Sequence, residues 1–170
     1  MNCTQILDAT ASFRSQWFTK TNPNTIYMDI RTQTQINKDA KATNLTRPLP
    51  KLTLTCDFTK LPFKNETFHH ICFDPPHLLH LLPTSIFYKK YGVLRPETWQ
   101  YILKSAVQEL WRVLAVNGTL TFKWSDYNLP HKQVLAVLPV KPLYGQVSAG
   151  TRTKRLTKWY VFVKTTGEKN

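Results

Sequence analysis

Five aspartates stand where short apolar runs end: Asp8, Asp29, Asp57, Asp74 and Asp126. They are half of the 10 acidic residues in a chain with 23 Lys plus Arg and a formal net charge of +13, so their placement is selective. If the runs are parallel strands, all five carboxylates converge on one sheet edge, where open α/β sheets bind ligands. A cationic or amine-rich ligand would meet acceptors there. Asp also opens loops and caps helices, and Asp126 reads equally well that way. The sharpest local signal is Asp74-Pro75-Pro76-His77, a turn stiffened by two prolines directly after a buried run.

The elements that must position these groups follow from periodicity. Runs at Thr4–Leu7, Thr25–Ile30, Lys51–Cys56, His69–Phe73 and Thr119–Trp124 predict strands. Helical patterns alternate with them, which predicts βα units and a parallel sheet. A small-residue turn, Ala9-Thr10-Ala11-Ser12, is followed by a predicted short helix over Ser12–Thr19. Residues 32–50 are polar, contain Pro48 and Pro50, and read as a loop with at most a weak helical turn. Residues 78–95 read as a loop with some helix. From about Pro96 to Leu114, Trp99, Ile102, Leu103, Ala106, Val107, Leu110 and Val113 recur at helical spacing. Asn117-Gly118 is expected to end that helix. A short helix at His131–Leu138 precedes two strands near Lys141–Gln146 and Lys158–Lys164, joined by the basic turn SAGTRTKRLTK.

A chain of 170 residues suffices for one domain with a sizeable core, and 42% hydrophobic content excludes a disordered chain. No apolar run approaches the roughly 20 residues that span a bilayer. The first residues lack a secretory pattern, so a cytoplasmic protein is expected. Cys3, Cys56 and Cys72 are odd in number and not spaced for zinc, and His69, His70 and His80 read as ordinary loop or core residues, so no metal is expected. The positive charge points to a polyanion, with nucleic acid first. No strongly amphipathic basic helix supports a membrane. Tyr88, Lys89, Lys90 and Tyr91 interleave rings and cations, which suits base stacking and phosphate contact. Arg152, Lys154 and Arg155 form a second basic patch. Trp124 either borders a base pocket or packs against the sheet.

The succession ILDATASF, IYMDIR, CDFTKLPFKNETFHHICFDPPH and ELWRVLAVNGTLTFKW resembles the class I S-adenosylmethionine-dependent methyltransferases. More narrowly, it resembles the branch that methylates adenine N6 or cytosine N4, including compact phage and prophage enzymes. The resemblance runs from Ile6 to about Lys164. It implies a single Rossmann-like, doubly wound α/β domain over residues 1–170. The implied sheet is mostly parallel and seven-stranded, with an antiparallel C-terminal hairpin, and no separate target-recognition domain is expected. It implies S-adenosylmethionine as cofactor. Asp8 would close the first strand as the family's first acidic motif, and the turn after it would hold the methionine part, with Thr10 and Ser12 near the carboxylate. Asp29 would accept from the ribose hydroxyls, and Asp57 from the cofactor's adenine amino group, with Phe58 beside the ring.

Asp74 and the Pro75 carbonyl would accept both hydrogens of an exocyclic amine. His77 stands where the family carries Tyr, Phe or Trp, which stack on the base. The turn after Asp8 departs from the family in having no glycine, and other residues tolerate positive φ poorly. The resemblance implies methyl transfer to a base amino group, adenine N6 foremost, with DNA slightly favoured over RNA. The alternative is a catalytically silent S-adenosylmethionine-binding protein or a subunit of a larger methyltransferase. A small-molecule or protein methyltransferase on the same scaffold also stays open. Expected partners are nucleic acid and, because a duplex base must be flipped out for chemistry, a second copy or a partner subunit. A phage-encoded chain would work in the host cytoplasm.

Overall fold

The computed structural model describes residues 5–145 and 157–167. Among them the apolar runs become strands β1 (Ile6–Asp8), β2 (Thr25–Asp29), β3 (Leu54–Thr55), β4 (Phe68–Phe73), β5 (Leu114–Ser125), β6 (Tyr144–Gly145) and β7 (Thr157–Val163). These seven form one sheet in the order β3-β2-β1-β4-β5-β7-β6. Strands β1 to β5 pair in parallel. β7 lies antiparallel between β5 and β6. The order reverses at β1, which has β2 on one side and β4 on the other, so the switch point lies between β1 and β4. This is the mostly parallel, Rossmann-like arrangement with antiparallel C-terminal strands that the resemblance implies. Four helices complete the described residues: α1 (Gln33–Ala42), α2 (Ile86–Tyr91), α3 (Trp99–Val113) and α4 (His131–Val137). None is long and apolar enough to cross a membrane.

Alternation along β5 explains the core. Leu120, Phe122 and Trp124 are fully buried, and Leu103, Ala106, Val107 and Leu110 of α3 pack into the same cluster with Ile71 and Phe73 of β4. A fully buried side chain of this size contributes roughly 1.5–3 kcal/mol. A smaller cluster of Phe13, Ile36 and Ala40, with Leu45, Leu49 and Leu52 against it, seats α1. Cys72 is half-buried, and burial pushes its thiol up to about 12, so it is inert at neutral pH.

Three expectations need correction. Ser12–Thr19 is not a helix but a series of turns, because Ser12 and Arg14 take positive φ (43° and 50°). Residues 33–42, read as loop, form α1. Thr32 caps it by accepting from the Gln35 amide, while its buried face holds only Ile36 and Ala40 beside Asp39, too narrow an apolar stripe to read. Asn117-Gly118 does not end α3, because the helix passes at Leu114 straight into β5. Asn117 (φ 63°) and Gly118 instead form a bulge: Phe68 pairs with Leu114 but His70 with Thr119, so two steps along β4 match five along β5. A Cβ on Gly118 would lie 2.8 Å from the Ala115 carbonyl oxygen.

With no glycine after α3, its last carbonyls need another donor. Lys164 supplies it: its buried Nζ donates to the carbonyls of Trp111 (3.1 Å) and Leu114 (2.9 Å) and lies 3.5 Å from Glu66 Oε1. Lys164→Met keeps the stem but orphans those acceptors. It should destabilise the fold by about 1–3 kcal/mol, read as a lower urea midpoint at unchanged slope. An unaltered midpoint would refute the capping role.

Candidate functional site

The site grows from the turn after β1. Asp8 is completely buried; its Oδ1 accepts from the Thr10 amide (3.1 Å) and its Oδ2 from Trp17 Nε1 (2.6 Å). Burial raises its pKa from 3.8 to about 7, against the pull of those two donors. Left-handed backbone at Ser12 and Arg14 costs roughly 1–2 kcal/mol each. Specific bonds offset it. The Ser12 amide donates to Asp29 Oδ2 at 3.1 Å. The buried Arg14 guanidinium lies 3.5 Å over the Tyr27 ring and donates to the carbonyls of Lys20 and Lys51. The turn thus reaches the geometry glycine would give without containing one.

Above this turn opens a cavity of about 760 Å³, walled by Ala9 to Ser12, Asp29, Asp57, Phe58, Asp74 and Pro76, and covered by Tyr88, Lys89 and Tyr91. Asp8 is not in its wall; it braces the turn from beneath. Asp29 accepts four hydrogen bonds: from the Ser12 amide, the Arg31 amide, Arg31 Nε and Arg31 Nη2. A carboxylate offers about four acceptor positions, so these fill it. Arg31 also pairs with Asp39 (3.2 Å) and donates to the Lys89 carbonyl (2.6 Å) and Ser12 Oγ (3.0 Å). Ser12 Oγ in turn donates to the Lys90 carbonyl at 2.7 Å. The C-terminal end of α2 is therefore tied across the cavity. Asp57 Oδ1 accepts from the amide and hydroxyl of Thr59, both at 2.8 Å. Phe58 packs edge-on against Phe73. Gln16, also in the wall, has a buried Oε1 with no protein partner.

At the switch point, Thr10 Oγ1 accepts from the Asp74 amide (2.8 Å) and so ties the first turn to the Asp-Pro-Pro turn. Pairing of Phe73 with Phe122 sets Asp74 level with Lys123, whose Nζ lies 2.6 Å from Asp74 Oδ2. Asp74 Oδ1 is buried without a partner. Beyond this pair lies a second cavity of about 320 Å³, lined by His77, Phe87, Tyr91, Tyr127 and Asn128 among others. Asp74, Lys123 and Tyr91 border both cavities. The His77 ring sits 6.0 Å from Tyr91 and 6.1 Å from Trp124. Burial lowers its pKa, with the field of Asp74 opposing, so the ring is neutral at neutral pH. Gly92 closes α2 with φ 74°, and a Cβ there would come within 3.2 Å of Pro76. The α2 segment thus descends directly onto the Asp-Pro-Pro turn.

The structure brings together Thr10, Ser12, Asp29, Asp57, Phe58, Asp74, Pro76, His77, Tyr88, Lys89 and Tyr91 around the two cavities. Pro75 lies in the same turn. Trp124 is fully buried, donates to the Leu129 carbonyl (3.0 Å) and backs His77 instead of lining either cavity. Lys90 is in neither wall; its Nζ lies 5.1 Å from the Tyr91 ring. Arg152, Lys154 and Arg155 lie outside the described residues. Sequence reasoning missed the roles of Arg31 and Lys123. The signals were an arginine two residues after a strand-end aspartate and a lysine at the end of the strand beside Asp74.

No protein-family model matches the sequence, and a comparison with curated proteins gives no match. Solved structures share the architecture. PH0226 from Pyrococcus horikoshii OT3 matches with a TM-score of 0.56 at 14% identity, over 95% of this chain and 82% of that one. HI0767 from Haemophilus influenzae, described as a candidate methylase, gives a TM-score of 0.45 at 14% identity, over 96% and 89% of the two chains. At such identity the likeness concerns the fold alone.

Asp8 generates a pH prediction. Its folded pKa of about 7 lies above the unfolded value near 3.8. The stability it contributes is therefore full below pH about 4 and is lost as pH rises through about 7. Asp8→Asn does not titrate. The stability of the parent relative to Asp8→Asn should fall between pH 5 and pH 8, measured by urea unfolding of both at each pH. A difference that is flat, or that grows with pH, would show Asp8 to be ionised throughout.

Proposed function

We propose that the chain transfers a methyl group from S-adenosylmethionine to the exocyclic amino group of a nucleic-acid base, with adenine N6 foremost and DNA slightly favoured over RNA. One observation carries this reading: Asp74, which borders both cavities, is clamped by Lys123 through Oδ2 and keeps a buried Oδ1 without a partner. A carboxylate held in that way is a fixed acceptor awaiting a donor.

The residues present fit the cofactor. The 760 Å³ cavity is within the range of small-molecule sites. Asp57 and Phe58 would hold the adenine end, Asp29 the ribose, and the first turn with the unpartnered Gln16 amide oxygen the methionine end. When bound, S-adenosylmethionine supplies an electrophilic methyl group on its sulfonium. A ribose hydroxyl reaches Asp29 only if Arg31 or the Ser12 amide gives up one of the four bonds that fill it.

The second cavity would take the base. Asp74 Oδ1 and the Pro75 carbonyl accept the two amine hydrogens and draw the nitrogen away from conjugation with the ring, freeing its lone pair. Lys123 prevents the carboxylate from rotating. The neutral His77 ring offers a face for stacking, with Tyr91 beside it. Held by these two acceptors, the amine nitrogen would take the methyl group with its freed lone pair, the S–C bond giving way, and would then release one proton, so no strong general base would be required. Much of the rate comes from holding the reactants in line. The charge of +13 and the lysines of α2 favour a polyanionic substrate. The saturation of Asp29 by Arg31 favours a second reading, a silent S-adenosylmethionine-binding protein or a subunit of a larger methyltransferase.

Calorimetry and methyl transfer separate the two. With labelled S-adenosylmethionine and adenine-containing DNA and RNA, the product is expected to be N6-methyladenine, with N4-methylcytosine as the minor alternative. Asp74→Ala should lower kcat/KM by at least about 100-fold while cofactor binding persists. Asp74→Asn should retain slight activity. Lys123→Met should cost about 10- to 100-fold through misplacement of Asp74, and Lys123→Arg should recover part of it. His77→Ala should lower activity, and His77→Phe or His77→Tyr should keep or raise it. Asp57→Ala should weaken cofactor binding by about 1–3 kcal/mol. Full activity of Asp74→Ala would refute the mechanism, and cofactor binding without any N-methylated base would favour the silent reading.

A further inference from the structure

Three rings run in series from the surface into the second cavity. Phe87 is 58% exposed, and its ring lies 6.4 Å from Tyr91 with only 19° between the planes. Tyr91 lies 6.0 Å from His77 at 41°. Phe87 and Tyr91 are four residues apart on α2, which puts both on one helix face. All three rings line the cavity that Asp74 borders. An exposed phenylalanine at the mouth of a partly polar cavity leaves most of its ring surface unused by the fold. Its position is nonetheless fixed, because Arg31 and Ser12 hold the carbonyls of Lys89 and Lys90 at the end of the same helix. Cations stand alongside: Lys89, and Lys90 with its Nζ 5.1 Å from the Tyr91 ring.

We propose that Phe87 is a stacking platform for the nucleotide next to the target base, so that the substrate of this site is an unpaired stretch of nucleic acid and not an intact duplex. This deepens, and rests on, the reading of the Asp74 site as a base-amine site. A base lying on His77 and Tyr91 has left its own stack. Its neighbour, placed on Phe87, leaves its stack as well. In a duplex that costs the pairing and stacking of two consecutive positions, whereas a single strand has little of either to lose. Every base has a π face, so a ring platform binds with little regard to sequence, and flanking lysines supply the phosphate contacts. Leu82 and Ile86 add exposed apolar surface beside Phe87 that a protein could also cover. The lysines on the same helix and the net charge of +13 favour the polyanion.

The test uses the whole chain with short oligonucleotides carrying one central adenine, as DNA and as RNA, single-stranded and duplex. Binding is followed by fluorescence anisotropy over a salt series. Single strands should bind about tenfold or more tightly than the matched duplex. Phe87→Ala should lose about 5- to 100-fold on single strands and much less on duplex. Phe87→Trp should retain affinity. With 2-aminopurine beside the central adenine, the parent and Phe87→Trp should change its fluorescence on binding, and Phe87→Ala should not. Circular dichroism of each variant guards against misfolding, and Phe87→Trp keeps the test valid if Phe87→Ala unfolds. Duplex binding as tight as single-strand binding would overturn the proposal. So would Phe87→Ala binding like the parent with the same 2-aminopurine signal, which would leave the apolar face to a protein. If duplex and single strand are methylated equally, the platform fails and the base-amine reading stands. If single strands bind through Phe87 but no base is ever methylated, the platform stands and that reading fails. DNA and RNA arms that differ in affinity identify the sugar the platform prefers.

Discussion

The guanidinium of Arg31 is where the separate parts of the site become one object. It bonds Asp29 at the end of β2, Asp39 on α1, Ser12 in the first turn and the Lys89 carbonyl on α2. An arginine can do this because its five donors lie in one plane at fixed angles, whereas a lysine is a point charge. Asp29 and Asp39 are both buried residues, and Arg31 supplies the opposite charge to each. Without it, α2 would keep only the Ser12–Lys90 bond of its two ties across the cavity, Ser12 Oγ would lose a donor, and the left-handed turn would lose part of what offsets its strain. The same saturation sets a condition on ligand binding: any hydroxyl that Asp29 accepts must first replace a donor of Arg31 or the Ser12 amide.

Environment divides the carboxylates of this one edge into different roles. Asp8, buried and facing only neutral donors, is pushed to about 7 and serves as a brace. Asp29 is saturated. Asp57 carries the donors of Thr59 on one oxygen. Asp74 has one oxygen held by a lysine and one buried without a partner. This last state combines a fixed orientation with buried, unused acceptor capacity. Strand-end position brings an aspartate to the edge, but the neighbouring side chains decide what it can do.

The strands were legible because each alternates or runs apolar within a bounded stretch, and the parallel pairing of the first five followed from the βα succession. The aspartates were legible because strand ends can be counted along the chain. What escaped depends on geometry that no local pattern carries. α1 escaped because its polar sequence buries Asp39 against an arginine that sequence does not pair with it. The turn after Asp8 was misread as leading into a helix because Ser12 and Arg14 carry no mark of positive φ. The conformation is enforced by Asp29 and Tyr27, which lie in the next strand. Lys123 escaped because its partner Asp74 is 49 positions away, and only the register of β4 on β5 sets them level. Asn117-Gly118 was read as a helix end, whereas it forms a bulge within the following strand, because nothing local shows that β5 already begins at Leu114.

The histidine in Asp-Pro-Pro-His can be understood from what surrounds it. The ring at position 77 is bordered by Trp124 behind it and Tyr91 beside it, both about 6 Å away. Histidine is smaller, and the surface it gives up is restored by Tyr91, which reaches the same cavity from α2. Burial keeps the imidazole uncharged at neutral pH, so it acts as a flat ring and not as a second cation beside Lys123. The aromatic surface that one large residue could provide is thus shared between a rigid turn and a helix tied down by Arg31. That division makes the position of α2 part of the site's shape, and any motion of the helix would change the ring surface and the larger cavity together.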